Sequence, residues 1–227
     1  MFNGIITHTG IIKKISKNKN NCVLEIKSRL KFSKNEIGSS ISCSGACLTL
    51  ERFSKNLSRF YLSKETLKRT NDALILTRIS GMKAADSVAA LTAVINGYND
   101  AAYKASEITN KLAAVDAAFA VSSADLAEAL RRVGSTASTA GVSLDELLGI
   151  VAATQQVTAR GGAVIGNAFK TIFTRIQRPK VLDALAALQV KIKDNEGNAL
   201  SMMAVLENLA GTYDKLNSRQ QSMVAEM

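Results

Sequence analysis

Residues 62–78, LSKETLKRTNDALILTR, contain the point at which the chain changes character. Before residue 73 the sequence has 14 lysine and arginine residues against 5 acidic ones, a net charge of +9, and a single alanine, Ala46. From residue 73 onward it has 15 basic against 14 acidic residues, a net charge of +1, and 31 alanines. These two tallies predict a boundary near residue 72, although no linker rich in proline, glycine or serine marks it.

The composition of the whole chain excludes several classes of protein. With 227 residues, 47% of them hydrophobic and 21% charged, the chain suits one large globular domain or two small ones. It has no run of eighteen apolar residues that could span a membrane, and its first six residues do not read as a signal peptide. Three cysteines, an odd number, favour a reducing compartment. With a single histidine, His8, a histidine-based zinc site or catalytic triad could be assembled only around that side chain.

The part before residue 72 has the pattern of a small β structure. Five short apolar or alternating runs recur about every ten residues, at 11–15, 23–26, 41–43, 47–50 and 60–62. This spacing predicts a small antiparallel barrel or sandwich. Its lysines fall mostly in the intervening turns, and no face interleaves basic with aromatic residues. We therefore interpret the positive charge as solvated loops and expect no nucleic-acid interface.

The rest of the chain has the period of amphipathic helices. Apolar stripes and capping signals predict helices over 82–95, 99–121, 122–133, 143–158, 163–177 and 200–216, with a small hairpin near 190–197. Ser122 and Ser143 are expected to cap two of these helices, and Pro179 to stop another. The predicted fold class is α+β: an N-terminal partial antiparallel β-barrel followed by an all-α, alanine-rich segment. We expect β structure up to about residue 70 and little shared core between the parts.

The helical part carries no recognisable catalytic grouping. The stretch GGAVIGN at 161–167 lacks the Gly-Lys-Ser/Thr ending of a phosphate loop, and we interpret it as a close helix–helix junction. The basic residues Arg175, Arg178 and Lys180 are interpreted as complementing a helix C-terminus, with anion binding as a lesser alternative.

Three sequence blocks in the β part carry a resemblance to a known family. The blocks are MFNGII at 1–6, IGSSISCSGACLT at 37–49 and LSKETL at 62–67. In order and spacing they resemble the N-terminal barrel of riboflavin synthase. That family implies two barrels per chain, a homotrimer, and transfer of a four-carbon unit between two molecules of 6,7-dimethyl-8-ribityllumazine without a metal or other cofactor. The similarity ends near residue 71, so the closing strands and the second barrel of the family are missing.

The resemblance also implies a substrate pocket. The residues that would line it are Gly4, Ile5, Ile6, Cys47, Leu48, Thr49, Tyr61, Leu62, Ser63, Lys64, Glu65 and Thr66. Phe2 would close this pocket, and Phe2 and Cys47 are the candidate catalytic residues. Two positions depart from the family pattern: Asn3 stands where the family usually has threonine, and Ser44 stands where it usually has an asparagine that the resemblance associates with a hydrogen bond in the pocket. The alternative for Cys43 and Cys47 is that both are buried core cysteines.

A second resemblance covers residues 74–227. The stretches AGVSLDEL at 140–147 and RGGAVIGNAFKTIF at 160–173, among others, resemble the core region of phage tail tape-measure proteins. That family implies a long helical scaffold inside the tail tube that sets tail length, has no enzymatic activity, and contacts other tail proteins. Two families that meet without a linker are what a gene fusion, a recombination event or a misassembled genomic sequence would produce.

Two classes of function therefore compete. The first is a structural phage-tail protein with an incomplete lumazine-binding barrel at 1–71 and an incomplete tape-measure-like region at 74–227. The alternative is riboflavin synthase, although the missing strands predict that the chain is inactive as it stands. The expected location is the cytoplasm or the virion tail. Because the barrel is incomplete, we also expect residues 1–70 to exchange amide protons rapidly or to associate through their strand edges.

Overall fold

The computed structural model describes residues 7–17, 21–43 and 46–226. In these ranges an antiparallel sheet is followed by helices, which confirms the predicted α+β class. The strands are β1 (Gly10–Lys17), β2 (Asn21–Ser28), β3 (Ser40–Cys43), β4 (Ala46–Ser54) and β5 (Leu57–Ser63). The helices are α1 (Lys64–Ser80), α2 (Ala84–Gly97), α3 (Ala105–Ala118), α4 (Ser123–Thr139), α5 (Leu144–Thr158), α6 (Gly162–Arg175), α7 (Pro179–Ala187), α8 (Met202–Tyr213) and α9 (Ser218–Glu226).

The sheet is open, with its strands in the order β1-β2-β5-β4-β3. All neighbouring strands are antiparallel, and β1 and β3 form the two edges within the described residues. The register shifts in β1 between Ile12 and Lys14, and in β4 between Leu50 and Arg52. Register shifts of this kind mark β-bulges, which increase the local twist of a sheet.

One face of the sheet holds its apolar core. The buried residues of this core are Cys22, Leu48, Leu50, Phe60 and Leu62. Partly buried side chains extend it, among them Leu24, Ile26 and Phe32, whose ring lies 6.1 Å from that of Phe60. The core residues are two apart along each strand, because successive side chains point to opposite faces.

Helix α1 crosses the point where the composition changes. The β structure ends at Ser63, earlier than the expected residue 70, and α1 continues without a break to Ser80. The Ser63 hydroxyl accepts a hydrogen bond from the Thr66 amide at 3.1 Å, which satisfies a free amide of the first turn. Leu67 packs against the sheet core, and Leu76 is fully buried further along the helix.

The chain divides into two compact units. The first extends to Arg78 and includes Lys83–Ala89; the second contains Ile79–Met82 and the residues from Ala90 onward. Within the first unit, the Thr77 hydroxyl at the end of α1 donates to the Ser87 hydroxyl of α2 at 3.0 Å. Every strand of the sheet and most of α1 belong to the first unit.

Several helices differ from their predicted bounds, and each difference has a local cause. Helix α3 begins at Ala105 rather than near residue 99, because Ala102 adopts a left-handed conformation and the Lys104 amide donates a hydrogen bond at 3.0 Å to the Glu107 carboxylate in the new first turn. Pro179 does end the preceding helix, but it also occupies the first turn of α7, where a missing amide proton costs nothing. The predicted hairpin reduces to one bridge between Lys193 and Ala199.

The last helices surround a second apolar cluster. Its buried members come from the end of α6, from α7 and the segment after it, and from α8: Ile176, Leu185, Leu188, Val190 and Val205. No helix in the described part of the chain is long and apolar enough to cross a membrane.

Candidate functional site

The predicted lumazine-binding residues of the sheet are divided between its two faces. Leu48 and Leu62 are buried in the sheet core. Their neighbours Cys47, Thr49 and Tyr61 are less buried and lie on the opposite face, where Thr49 pairs directly with Tyr61 across β4 and β5. The structure thus brings Thr49 and Tyr61 together on one face of the sheet, while Leu48 and Leu62 lie in the core on the other face.

The remaining described candidates form the first turn of α1. Here the Thr66 hydroxyl lies 3.0 Å from that of Ser63, and the Glu65 carboxylate accepts from Arg69 at 2.6 Å. Lys64 is exposed. These side chains stabilise the helix start, so several of the polar groups predicted to meet a ligand already have partners within the chain.

Four candidates lie outside the described residues: Phe2, Gly4, Ile5 and Ile6. All three cysteines have free thiols. Cys22 is buried, Cys43 is half-buried and Cys47 is exposed. Burial, and then the nearby Cys47 thiol, raise the pKa of the Cys43 thiol. Cys47 is therefore the accessible thiol of this pair. Among the described residues no group of histidine, cysteine and acidic side chains could hold a metal ion.

The backbones of helices α4 and α6 come into close contact at two glycines of α6. A Cβ atom added to Gly166 would lie 2.9 Å from the Cα atom and the carbonyl oxygen of Ala129. At Gly162 an added Cβ would overlap the carbonyl of Asp125. Glycine at both positions is what allows the two backbones to touch, which agrees with the predicted helix–helix junction.

Asp125 joins these two helices through its side chain. Its Oδ1 atom accepts a hydrogen bond at 2.8 Å from the amide of Gly162, in the first turn of α6. Its own amide donates to the Ser122 hydroxyl at 3.1 Å, as the predicted cap of α4 requires. One carboxylate thus stabilises the amino ends of two helices, where its negative charge complements both helix dipoles.

Other charged side chains of the unit also connect helices. Asp116 of α3 accepts from the Ser123 amide at 2.8 Å and from its hydroxyl at 2.6 Å, where α4 begins. The Lys111 ammonium group of α3 lies 2.5 Å from the Asp145 carboxylate at the start of α5. In the first turn of α5, Asp145 thus connects the helix to α3, and Glu146 accepts a hydrogen bond from the Ser143 amide of the cap.

Glu128 on α4 accepts hydrogen bonds from two arginines. The Nε atoms of Arg131 and Arg132 both lie 2.8 Å from its carboxylate oxygens. The hydrogen bond from Arg131, aided by that from Arg132, holds the pKa of Glu128 below its usual range. This arrangement keeps the carboxylate ionised, as suits a structural ion pair and not a proton donor.

Sequence reasoning did not identify the role of Asp125, Asp116 or Lys111. Their partners lie 37, 7 and 34 residues away along the chain, beyond the range of a capping motif. The only local signal was the pair of glycines at 161–162, which indicated close packing without naming the facing residue.

Comparison with known families bears on this helical part of the chain. A family model described as "Phage-related minor tail protein" matches residues 61–227. The chain belongs to this family of phage minor tail proteins. A second model, "Lumazine binding domain", matches residues 3–76, so the chain also contains the lumazine-binding sequence pattern.

A curated relative bears on the same part of the chain. The "Probable tape measure protein" of Escherichia phage P2 is 30% identical over 101 residues, which make up 43% of this chain and 12% of that protein. The aligned region is thus about an eighth of the relative's length. No solved structure matches the chain.

Proposed function

We propose that the chain is a structural protein of a phage tail, with the scaffold role of a tape-measure protein. The observation that carries this proposal is the backbone contact between α4 and α6, within the range matched by the minor tail family. The acidic groups around this contact, Asp125, Asp116 and Glu128, are held by amides, hydroxyls or arginines of the chain itself. Such a unit is suited to a mechanical role, and its partners would be other tail proteins.

Detection of the chain in purified tails tests this role directly. Trypsin cleavage after Lys111 and after Arg131 gives the peptide LAAVDAAFAVSSADLAEALR, which mass spectrometry can follow. We expect this peptide in purified particles and expect tails of variable length when the gene is deleted. Finding the peptide only in the soluble fraction of the lysate would contradict a tail role.

A variant pair links incorporation to the helical unit. Gly162→Ala forces apart α4 and α6, whereas Gly149→Ala places the same methyl group on an open face of α5. We expect the first variant to be lost from particles and the second to be retained. Equal incorporation of both would show that the α4–α6 contact is irrelevant to assembly.

The second candidate function is lumazine binding by residues 1–71, favoured by the family match over 3–76. Thr49 and Tyr61 offer a hydroxyl and an aromatic ring side by side on the face opposite the sheet core. Titration with fluorescent 6,7-dimethyl-8-ribityllumazine measures binding without requiring turnover. Tyr61→Ala should weaken binding, whereas Tyr213→Ala, whose ring is equally exposed at 37%, should not.

Riboflavin formation is a separate question from binding. We expect no turnover from the chain, because the strands that close the family's barrel are missing from its sequence. Release of riboflavin that is lost in Phe2→Ala and Cys47→Ser would replace the structural proposal with the enzymatic one.

A further inference from the structure

An exposed apolar surface remains on β1. Two side chains of this strand, Ile12 and Ile15, are 53% and 55% exposed. They pair with Ile26 and Leu24 of β2, both of which pack against the sheet core. The face that carries the sheet core therefore continues onto β1, where nothing in the described part of the chain covers it.

The bulge in β1 is what aligns these two isoleucines. Residues three apart in a regular strand point to opposite faces of a sheet. The register shift between Ile12 and Lys14 inserts one residue, so that Ile12 and Ile15 point to the same face. The strand thus presents two apolar side chains beside an edge without a hydrogen-bonding neighbour among the described strands.

The charge along this edge is positive. Lys13, Lys14 and Lys17 are all exposed, and none of them forms an ion pair with a described residue. Lys14 lies opposite Glu25, but that carboxylate is shared with Arg59 at 4.0 Å. Three lysines on an eight-residue strand disfavour pairing with a second copy of β1, which would place like charges opposite each other.

We propose that β1 is a docking edge for an extended acidic segment of another protein, which adds a sixth strand to the sheet. The added strand would alternate β-branched apolar residues, which cover Ile12 and Ile15, with glutamate or aspartate beside the lysines. Main-chain hydrogen bonds to the free edge supply affinity, and the alternating side chains supply specificity. This surface is separate from Thr49 and Tyr61, so the proposal is independent of lumazine binding.

The test uses the full chain and a labelled ten-residue peptide in which glutamate alternates with valine and isoleucine. We expect saturable binding by fluorescence anisotropy, weakened by salt, and slower amide exchange over 11–17. A peptide with lysine in place of glutamate should not bind. Replacing both Ile12 and Ile15 by threonine should weaken binding roughly tenfold or more, because it removes the apolar cover. Ile37→Thr, at a residue 49% exposed outside the sheet, is the matched control.

A charge-reversed variant guards against simple loss of folding. In Lys14→Glu the preference should move toward the lysine peptide, an outcome that an unfolded chain cannot give. The proposal is wrong if both peptides bind alike, if neither binds, or if the double threonine variant binds as well as the natural chain. It is also wrong if sedimentation shows a dimer that this double variant converts to a monomer, because β1 would then pair with a second copy.

Discussion

The contact between α4 and α6 predicts a graded loss of stability for three glycine-to-alanine substitutions. At Gly149 an added Cβ meets nothing within 4 Å. At Gly166 it would lie 2.9 Å from backbone atoms of Ala129, about 0.5 Å inside the 3.4 Å of an ordinary contact. At Gly162 it would overlap the Asp125 carbonyl, and relief of that overlap would also stretch the amide–Oδ1 hydrogen bond.

These geometries set the expected free energies of unfolding. Gly149→Ala should gain about 0.5–1 kcal/mol, because alanine favours a helix interior over glycine. Gly166→Ala makes the same gain but incurs about 1–3 kcal/mol of overpacking, for a net loss of about 1 kcal/mol. Gly162→Ala lies in the first turn of α6, where the gain is small, and also weakens a hydrogen bond to a carboxylate. Its loss should be about 2–4 kcal/mol, a large share of a typical domain's stability.

Urea unfolding followed by circular dichroism at the helix band measures the series, since the second unit is helical. The expected order of stability is Gly149→Ala, natural chain, Gly166→Ala, Gly162→Ala. If the three variants unfold at the same urea concentration, the two backbones are not in contact and the reasoning fails. An unchanged denaturant slope is the control that the unfolded state is the same in each case.

Four further predictions concern two ionisable side chains, the cysteine thiols and the backbone amides of the sheet. The Tyr98 hydroxyl is buried without a hydrogen-bond partner among the described residues, and burial raises its pKa above the usual 10.0. The free energy of unfolding should therefore fall as the pH rises past about 10. Tyr98→Phe should remove this loss in unfolding curves measured at alkaline pH. The hydrogen bond from Arg131 lowers the pKa of Glu128 below 4.5. The contribution of Glu128 to the free energy of unfolding is therefore present above pH 4.5 and is lost as the pH falls through the folded-state pKa. Glu128→Gln should make the free energy of unfolding less dependent on pH in this acidic range. Maleimide labelling read by mass spectrometry should modify exposed Cys47 well before buried Cys22. The incomplete barrel predicts rapid amide exchange over residues 1–70, but the strand order changes this expectation for β4, which pairs on both sides and should exchange more slowly than the β1 edge. Uniform exchange across the sheet would contradict this topology.

Much of the fold was predictable because its signals are local. All five strands coincide with alternating runs bounded by turns, and α5 begins at the predicted cap Ser143 with its Glu146 partner. Helix α1 was missed because residues 64–72 are mostly polar and carry no clear apolar period. Helix α7 has no clear start in the sequence, because Pro179 both ends the preceding helical pattern and occupies the first turn of α7.

The candidate sites were less predictable, because they depend on pairs that are distant in sequence. Strand alternation places Leu48 and Leu62 in the core, but the neighbourhood of Thr49 and Tyr61 requires the β4–β5 register. Likewise, the cap at Ser122 was visible locally, whereas the hydrogen bond from Gly162 to Asp125 spans 37 residues and needs the packed structure.

Helix α1 has a further consequence for how the two sequence families can be joined. The two family matches overlap at residues 61–76, and most of that overlap is this one helix. Each residue inserted near position 70 would turn Leu76 by about 100° about the helix axis relative to Leu67 and advance it about 1.5 Å. Changes of about seven, eleven or eighteen residues return Leu76 to within about 20° of its present angular phase relative to Leu67. An insertion of one or two residues would turn the fully buried Leu76 by at least about 100° relative to the partly buried Leu67, so the junction of the two sequence families is sensitive to the phase of this helix.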